Sequence, residues 1–122
     1  MTFIFVALGG ALGAVCRYAL SLIIVKSDFP FMTFAANLIG AFLIGLIAGF
    51  AKKNPSVSKN FILFLKTGFC GGFTTFSTFS LETWNLLEAH NYPIAALYAG
   101  TSFVLCIAGV ALGLFVSSAI NR

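Results

Sequence analysis

Between Gly68 and Ser80 the chain reads GFCGGFTTFSTFS, with Gly71 and Gly72 followed by Thr74, Thr75, Ser77, Thr78 and Ser80, and with Phe69, Phe73, Phe76 and Phe79 set among them. Hydroxyls bind ions of either sign, and paired glycines let a helix break. A break exposes carbonyls at the end of one half-helix and amides at the start of the next. The carbonyls coordinate cations and the amides attract anions. Thr74 and Thr75 are placed to cap the second half. A benzene ring is negative on its face and positive at its edge, so edge-on rings can receive a small anion without hydrating it. Phe76 and Phe79, three apart, share one side of a helix. The chemistry on offer is ion coordination; the competing reading is a plain kink with packing rings.

The other polar residues within apolar surroundings are few. Arg17 sits late in the first apolar run, where a charge at membrane depth costs several kcal/mol unless it snorkels to the interface or faces water or a partner. Asn37 opens the second run, and its amide must hydrogen-bond across helices or line a cavity. Tyr98, Ser102 and Cys106 fall at i, i+4 and i+8 in the fourth run and share a face, although hydroxyls there can also bond back to their own helix.

Four elements must carry these residues. With 60% hydrophobic and 8% charged residues and a mean hydropathy of +1.04, the composition is that of an integral membrane protein. Four apolar runs, about residues 3–25, 32–51, 61–86 and 92–119, each match the ~20 residues needed to cross a bilayer core. We expect an all-α membrane protein: one domain over residues 1–122, with four transmembrane helices and the third broken near its middle. The opening MTFIFVALGG has no Lys or Arg ahead of its apolar run, so the first segment is read as a mature helix rather than a cleavable signal. Cys16, Cys70 and Cys106 are odd in number and lie within apolar runs, which suits packing rather than disulfides or a metal spacing. The net charge of +4 gathers at Lys52, Lys53 and Lys59, a cluster that fits a loop beside lipid headgroups and requires no nucleic acid. Gly9 and Gly13, then Ala41, Gly45 and Gly49, then Gly109 and Gly113 form small-residue faces that let helix backbones approach within lipid. Four helices are thin material for an enclosed path, so oligomerisation is expected.

Three blocks, GGALGAVCRY at 9–18, NLIGAFLIG at 37–45 and GFCGGFTTFSTFSLE at 68–82, resemble the small bacterial fluoride channels of the CrcB (Fluc) family, and the resemblance covers essentially the whole chain. It implies passive export of cytoplasmic fluoride across the bacterial plasma membrane, through a dual-topology dimer of inverted protomers with two pores. It also implies one central sodium ion as a structural cofactor. By the same resemblance, Gly71 and Thr74 give backbone carbonyls to sodium, Phe76 and Phe79 are pore rings, and Asn37 holds the rings or the ion. Ser77 and Thr78 stand where hydroxyls recognise fluoride, and Arg17 lines a vestibule that gathers anions. Tyr98 and Ser102 match a polar track on the fourth helix, from which Cys106 departs because a hydroxyl is usual there. Glu82 continues the third block and is read as pairing with a lysine.

If the termini and the second connection share a side, that side carries Lys52, Lys53, Lys59 and Arg122 and the other carries Lys26 and Arg17. Positive-inside counting then favours cytoplasmic termini, whereas dual-topology chains are nearly unbiased. This leaves open a homodimer and a heterodimer with an oppositely oriented relative. Among competing functions, a small multidrug exporter needs a carboxylate in the first span, and none occurs between Met1 and Val25. A haem or quinone anchor needs histidines within spans, and the single His90 lies in a polar connection. No nucleophile–base pair or metal spacing suggests an enzyme. A structural helical subunit explains the glycine faces but not the hydroxyl-rich stretch.

Overall fold

The computed structural model describes residues 1–120; Arg122, counted in the charge bias, lies outside the described residues. All regular secondary structure among the described residues is helical. Three helices are long and apolar enough to cross a membrane: α1 (Thr2–Ser21), α2 (Phe31–Lys53) and, running the last part of the described chain, the 29-residue Tyr92–Ile120. Between them residues 59–88 fold in pieces. α3 (Lys59–Leu63) runs into a π-helical segment, Phe64–Cys70, and then into the single turn α4 (Gly71–Phe73). Thr74 and Thr75 are extended, and helix resumes as α5 (Phe76–Glu88), followed by α6, the Tyr92–Ile120 helix.

The first helix stops at Ser21, short of the expected Val25, and residues 22–25 are exposed. Hydropathy counts Ile23, Ile24 and Val25 as spanning residues whatever their backbone does, but β-branched side chains hold helix poorly. The Ser27 hydroxyl then accepts from the Phe29 amide, and Pro30 precedes α2, which fixes the reversal.

Glycines bring the helices together in two parallel pairs. In the first pair, a Cβ on Gly45 of α2 would strike the Val110 carbonyl, and one on Gly113 of α6 would strike that of Phe42. In the second, Gly9 and Gly13 of α1 press on the Phe64 and Phe69 carbonyls of the π-helical segment, and Gly72 presses on the Gly10 carbonyl. Removing side chains here lets whole backbones touch, the contact that replaces apolar burial where lipid is the solvent. Large apolar residues accordingly point outward, Phe3 and Ile24 at 88% exposure, while the buried set consists mainly of small residues with Phe73 and Tyr98. Thr2 reaches Asn60 at 3.4 Å and Lys53 reaches Ser118 at 3.4 Å, so the N-terminus, the α2–α3 connection and the end of α6 share one end of the bundle. Asp28 and Asn91 meet at the other, 3.5 Å apart.

This packing yields a paired expectation. Gly9→Ala should lower thermal stability in detergent by about 1–3 kcal/mol, the usual cost of overpacking against rigid backbone. Gly71→Ala should leave stability nearly unchanged, because nothing lies within 4 Å of a Cβ at Gly71.

Candidate ion-binding site

The central feature is a clamp on the backbone of one residue, Thr75. The Asn37 side chain of α2 donates from Nδ2 to the Thr75 carbonyl at 3.1 Å and accepts from the Thr75 amide at Oδ1 at 2.8 Å. The amide thus bonds across helices and matches both polarities of an extended residue (φ −152°, ψ 124°). Gly40, one turn along α2, makes room for the neighbouring threonine, since a Cβ there would collide with Thr74 Cγ2. The block NLIG therefore encodes both the clamp and its clearance.

The glycines play a different part from the one read in the sequence. Among the described residues no glycine has a positive φ, and Gly71 is helical at φ −63°, ψ −38°. Helix ends instead at Thr74 (φ −89°, ψ 159°) and Thr75, β-branched residues at home in extended backbone. Gly72 serves the close approach to α1, while Gly71 faces open space. Had helix continued, the Thr75 amide would have bonded the Gly71 carbonyl four residues back. Asn37 takes that amide, so the Gly71 carbonyl loses its helical donor.

Each threonine has a distinct task. Thr74 Oγ1 donates back to the Cys70 carbonyl at 2.8 Å, closing the first half. Thr75 is the N-cap of α5, with Oγ1 accepting from the Thr78 amide at 3.1 Å. Only Thr75 therefore caps the second half. Ser77 Oγ lies 3.3 Å from Thr75 Oγ1, and Ser77 is exposed.

Arg17 meets a partner: its Nε donates to the Gly72 carbonyl at 3.2 Å, joining α1 to the end of the first half. Glu82 accepts from the Tyr98 hydroxyl at 3.3 Å rather than meeting a lysine, because Tyr98 of α6 stands directly across from α5. Tyr98 is fully buried, with the Phe79 ring 5.0 Å and the Phe29 ring 5.3 Å away, the latter edge-on. Phe76 follows Phe79 at 5.7 Å. Phe29, from the α1–α2 connection, is a ring the sequence reading missed; only its place in the connection hid it.

A groove of about 680 Å³ runs between α2, the extended pair, α5 and α6. It gathers Asn37, Gly71, Thr74, Phe76, Phe79 and Ser102, together with Cys70 and Cys106; Arg17, Ser77, Thr78 and Tyr98 lie outside its lining. The hydroxyls of Ser80, Thr83 and Thr101 bond back to carbonyls four residues earlier at 2.6–2.8 Å. Ser102 differs: at 6% exposure its Oγ has no hydrogen-bond partner among the described residues. A buried hydroxyl left free in a groove of phenyl rings can donate to an anion. Lys66, also missed by the sequence reading, lies exposed on the π-helical segment. No group of three or more His, Cys, Asp or Glu that could hold a metal occurs among the described residues.

Comparison with known proteins agrees on one family. The model described as CrcB-like protein, Camphor Resistance (CrcB), matches residues 4–114. The fluoride-specific ion channel FluC of Azobacteroides pseudotrichonymphae is 45% identical over 111 residues, covering 88% of this chain and 89% of the relative. Those of Geotalea daltonii and Desulfotalea psychrophila are each 48% identical, over 93% of this chain and 94% of the relative and over 96% and 92%, respectively. With a family model spanning nearly its whole length and relatives of this identity, the chain belongs to the CrcB family.

Proposed function

We propose that this chain forms a fluoride-selective channel that passively exports the ion, and that it is not an enzyme. It is a multi-pass protein of the bacterial plasma membrane. The observation that carries the proposal is the groove lined by Phe76, Phe79 and Ser102, whose hydroxyl has no hydrogen-bond partner among the described residues. A single strong donor with weakly hydrating ring edges suits a small, hard anion and serves chloride poorly. The names of the relatives support the same reading. Efflux from liposomes holding only this purified chain tests it: rapid fluoride release with chloride retained is expected, and equal rates for the two ions would overturn it.

The working unit is a dimer of inverted protomers. The third span, residues 59–88 with its interruption at Thr74–Thr75, presents Phe76 at 79% exposure beside the groove. A second copy covering this face would turn an open groove into an enclosed path. An inverted copy would also bring the end carrying Asp28 near the lysine-rich end. A homodimer is the simpler assembly, and crosslinking of tagged termini to both membrane faces in cells with only this channel is its test.

Sodium fits the interruption as a structural ion. The Gly71 carbonyl has lost its helical donor, and Gly71 and Thr74 both line the groove. Two carbonyls from each of two protomers would supply four hard oxygen ligands, which suit an alkali cation. When bound, the ion would add positive potential beside the rings. Because the ligands are main chain, fluoride flux should survive Thr74→Ser and fall severalfold when a large organic cation replaces all sodium. Full, stable efflux after verified sodium removal would rule the site out.

A further inference from the structure

A second, separate groove of about 260 Å³ lies at the lysine-rich end, where α2 and α6 finish and α3 begins. Leu46 and Phe50 of α2, Phe61 of α3, Leu65 of the π-helical segment and Ile120 of α6 line it. Basic residues adjoin its lining in the sequence: Lys53 follows Phe50 by three residues, Lys52 is adjacent, and Lys59 precedes Phe61 by two. The Lys53 ammonium lies 3.4 Å from both the carbonyl and the Oγ of Ser118, two residues before Ile120, so it sits beside the groove's α6 wall. Those two contacts leave one of its three N–H donors for another acceptor. The three acidic side chains are elsewhere: Asp28 is at the opposite end, Glu82 is held by Tyr98, and Glu88 ends α5. The lysines therefore have no acidic side chain of their own chain to face.

We propose that this end binds one acidic phospholipid, with an acyl chain in the groove and the phosphate of its headgroup on Lys53, flanked by Lys52 and Lys59. An apolar slot opening beside clustered ammonium groups at a membrane surface matches both halves of such a lipid. A zwitterionic lipid would satisfy the slot and not the charge. The inference rests on the chain's place in a membrane and does not depend on which ion it conducts.

Purified protein equilibrated with equimolar phosphatidylglycerol and phosphatidylcholine, then examined by native mass spectrometry, provides the test. One phosphatidylglycerol retained per chain is expected. The triple variant Lys52→Gln, Lys53→Gln, Lys59→Gln should lose that preference at about fivefold per lysine. Its positions are exposed, so folding is preserved, and fluoride efflux should match the parent. Leu46→Trp, which fills the slot with the charges intact, should displace the lipid. Equal retention of both lipids, or phosphatidylglycerol retention unchanged in the triple variant, would overturn the proposal. So would a shift in oligomeric state of Leu46→Trp with retention unchanged, since that would make a second copy the occupant.

Discussion

Asn37→Leu should still fold and insert, and should pass fluoride about a hundredfold more slowly than the parent chain. Leucine matches asparagine in shape and is at home in an apolar helix, so α2 and its glycine contacts with α6 are kept. The variant loses both hydrogen bonds to Thr75. Each peptide group left unpaired in a partly buried place costs about 1–3 kcal/mol. Taking about 1.4 kcal/mol for each gives about 2.8 kcal/mol, enough to shift the local equilibrium by about a hundredfold. The amide of Thr75 then regains its ordinary helical acceptor, Gly71, and the interruption heals toward continuous helix. Continuous helix would change where Phe76 and Phe79 stand in the groove and return the Gly71 carbonyl to a helical hydrogen bond. Asn37→Asp separates the clamp from simple polarity: a carboxylate still accepts from the Thr75 amide but cannot donate to the Thr75 carbonyl, and it adds a negative charge to an anion path. It too should conduct poorly. Parent-level efflux from a folded Asn37→Leu protein would show that the clamp is not needed for conduction.

What was legible in the sequence followed from chemistry that acts locally. Four apolar runs and glycines at helical spacing announced the helices and their close contacts, because lipid crossing depends on length and composition and small residues matter wherever backbones meet. The run TTFSTF announced an interruption, because hydroxyls and β-branched residues at that density are costly in an unbroken apolar helix. Its location was misread. Glycine is permissive but does not itself break a helix, and here Gly71 and Gly72 remain helical. What moves the interruption to Thr75 is a side chain 38 positions away in the sequence, and no local pattern reports such a partner. Glu82 escaped the reading for the same reason: it meets a phenol on another helix, which charge counting cannot anticipate, while for Arg17 the sequence required a partner and could not name the Gly72 carbonyl. The π-helical segment was equally silent, since a wider turn over Phe64–Cys70 depends on how α1 packs against it.

The second large effect concerns the rings themselves. Phe79→Ile should cut fluoride efflux by about tenfold or more while reducing stability by only about 1–2 kcal/mol, the value of the two aromatic contacts it loses. Those contacts are to Tyr98 at 5.0 Å and to Phe76 at 5.7 Å. Isoleucine keeps the site apolar, so the loss of flux would report the missing ring edge and not a wetter groove. Phe76→Ile supplies the control on stability. Phe76 is 79% exposed in the single chain and touches one ring of this pair, so its replacement should cost less than that of Phe79 in thermal unfolding, and yet it should depress efflux to a similar degree. If the rings were packing alone, efflux would follow stability, and the more buried position would show the larger defect. If they bind the anion, the two quantities separate, because both rings line the groove that Ser102 also lines. Ser102→Ala in the Phe79→Ile background should then add little further loss, since the hydroxyl and the ring would serve one bound ion and such partners are not additive. Parent-level fluoride efflux from a folded Phe76→Ile, Phe79→Ile double variant, with chloride still excluded, would remove the rings from the mechanism and leave selectivity to the hydroxyl alone.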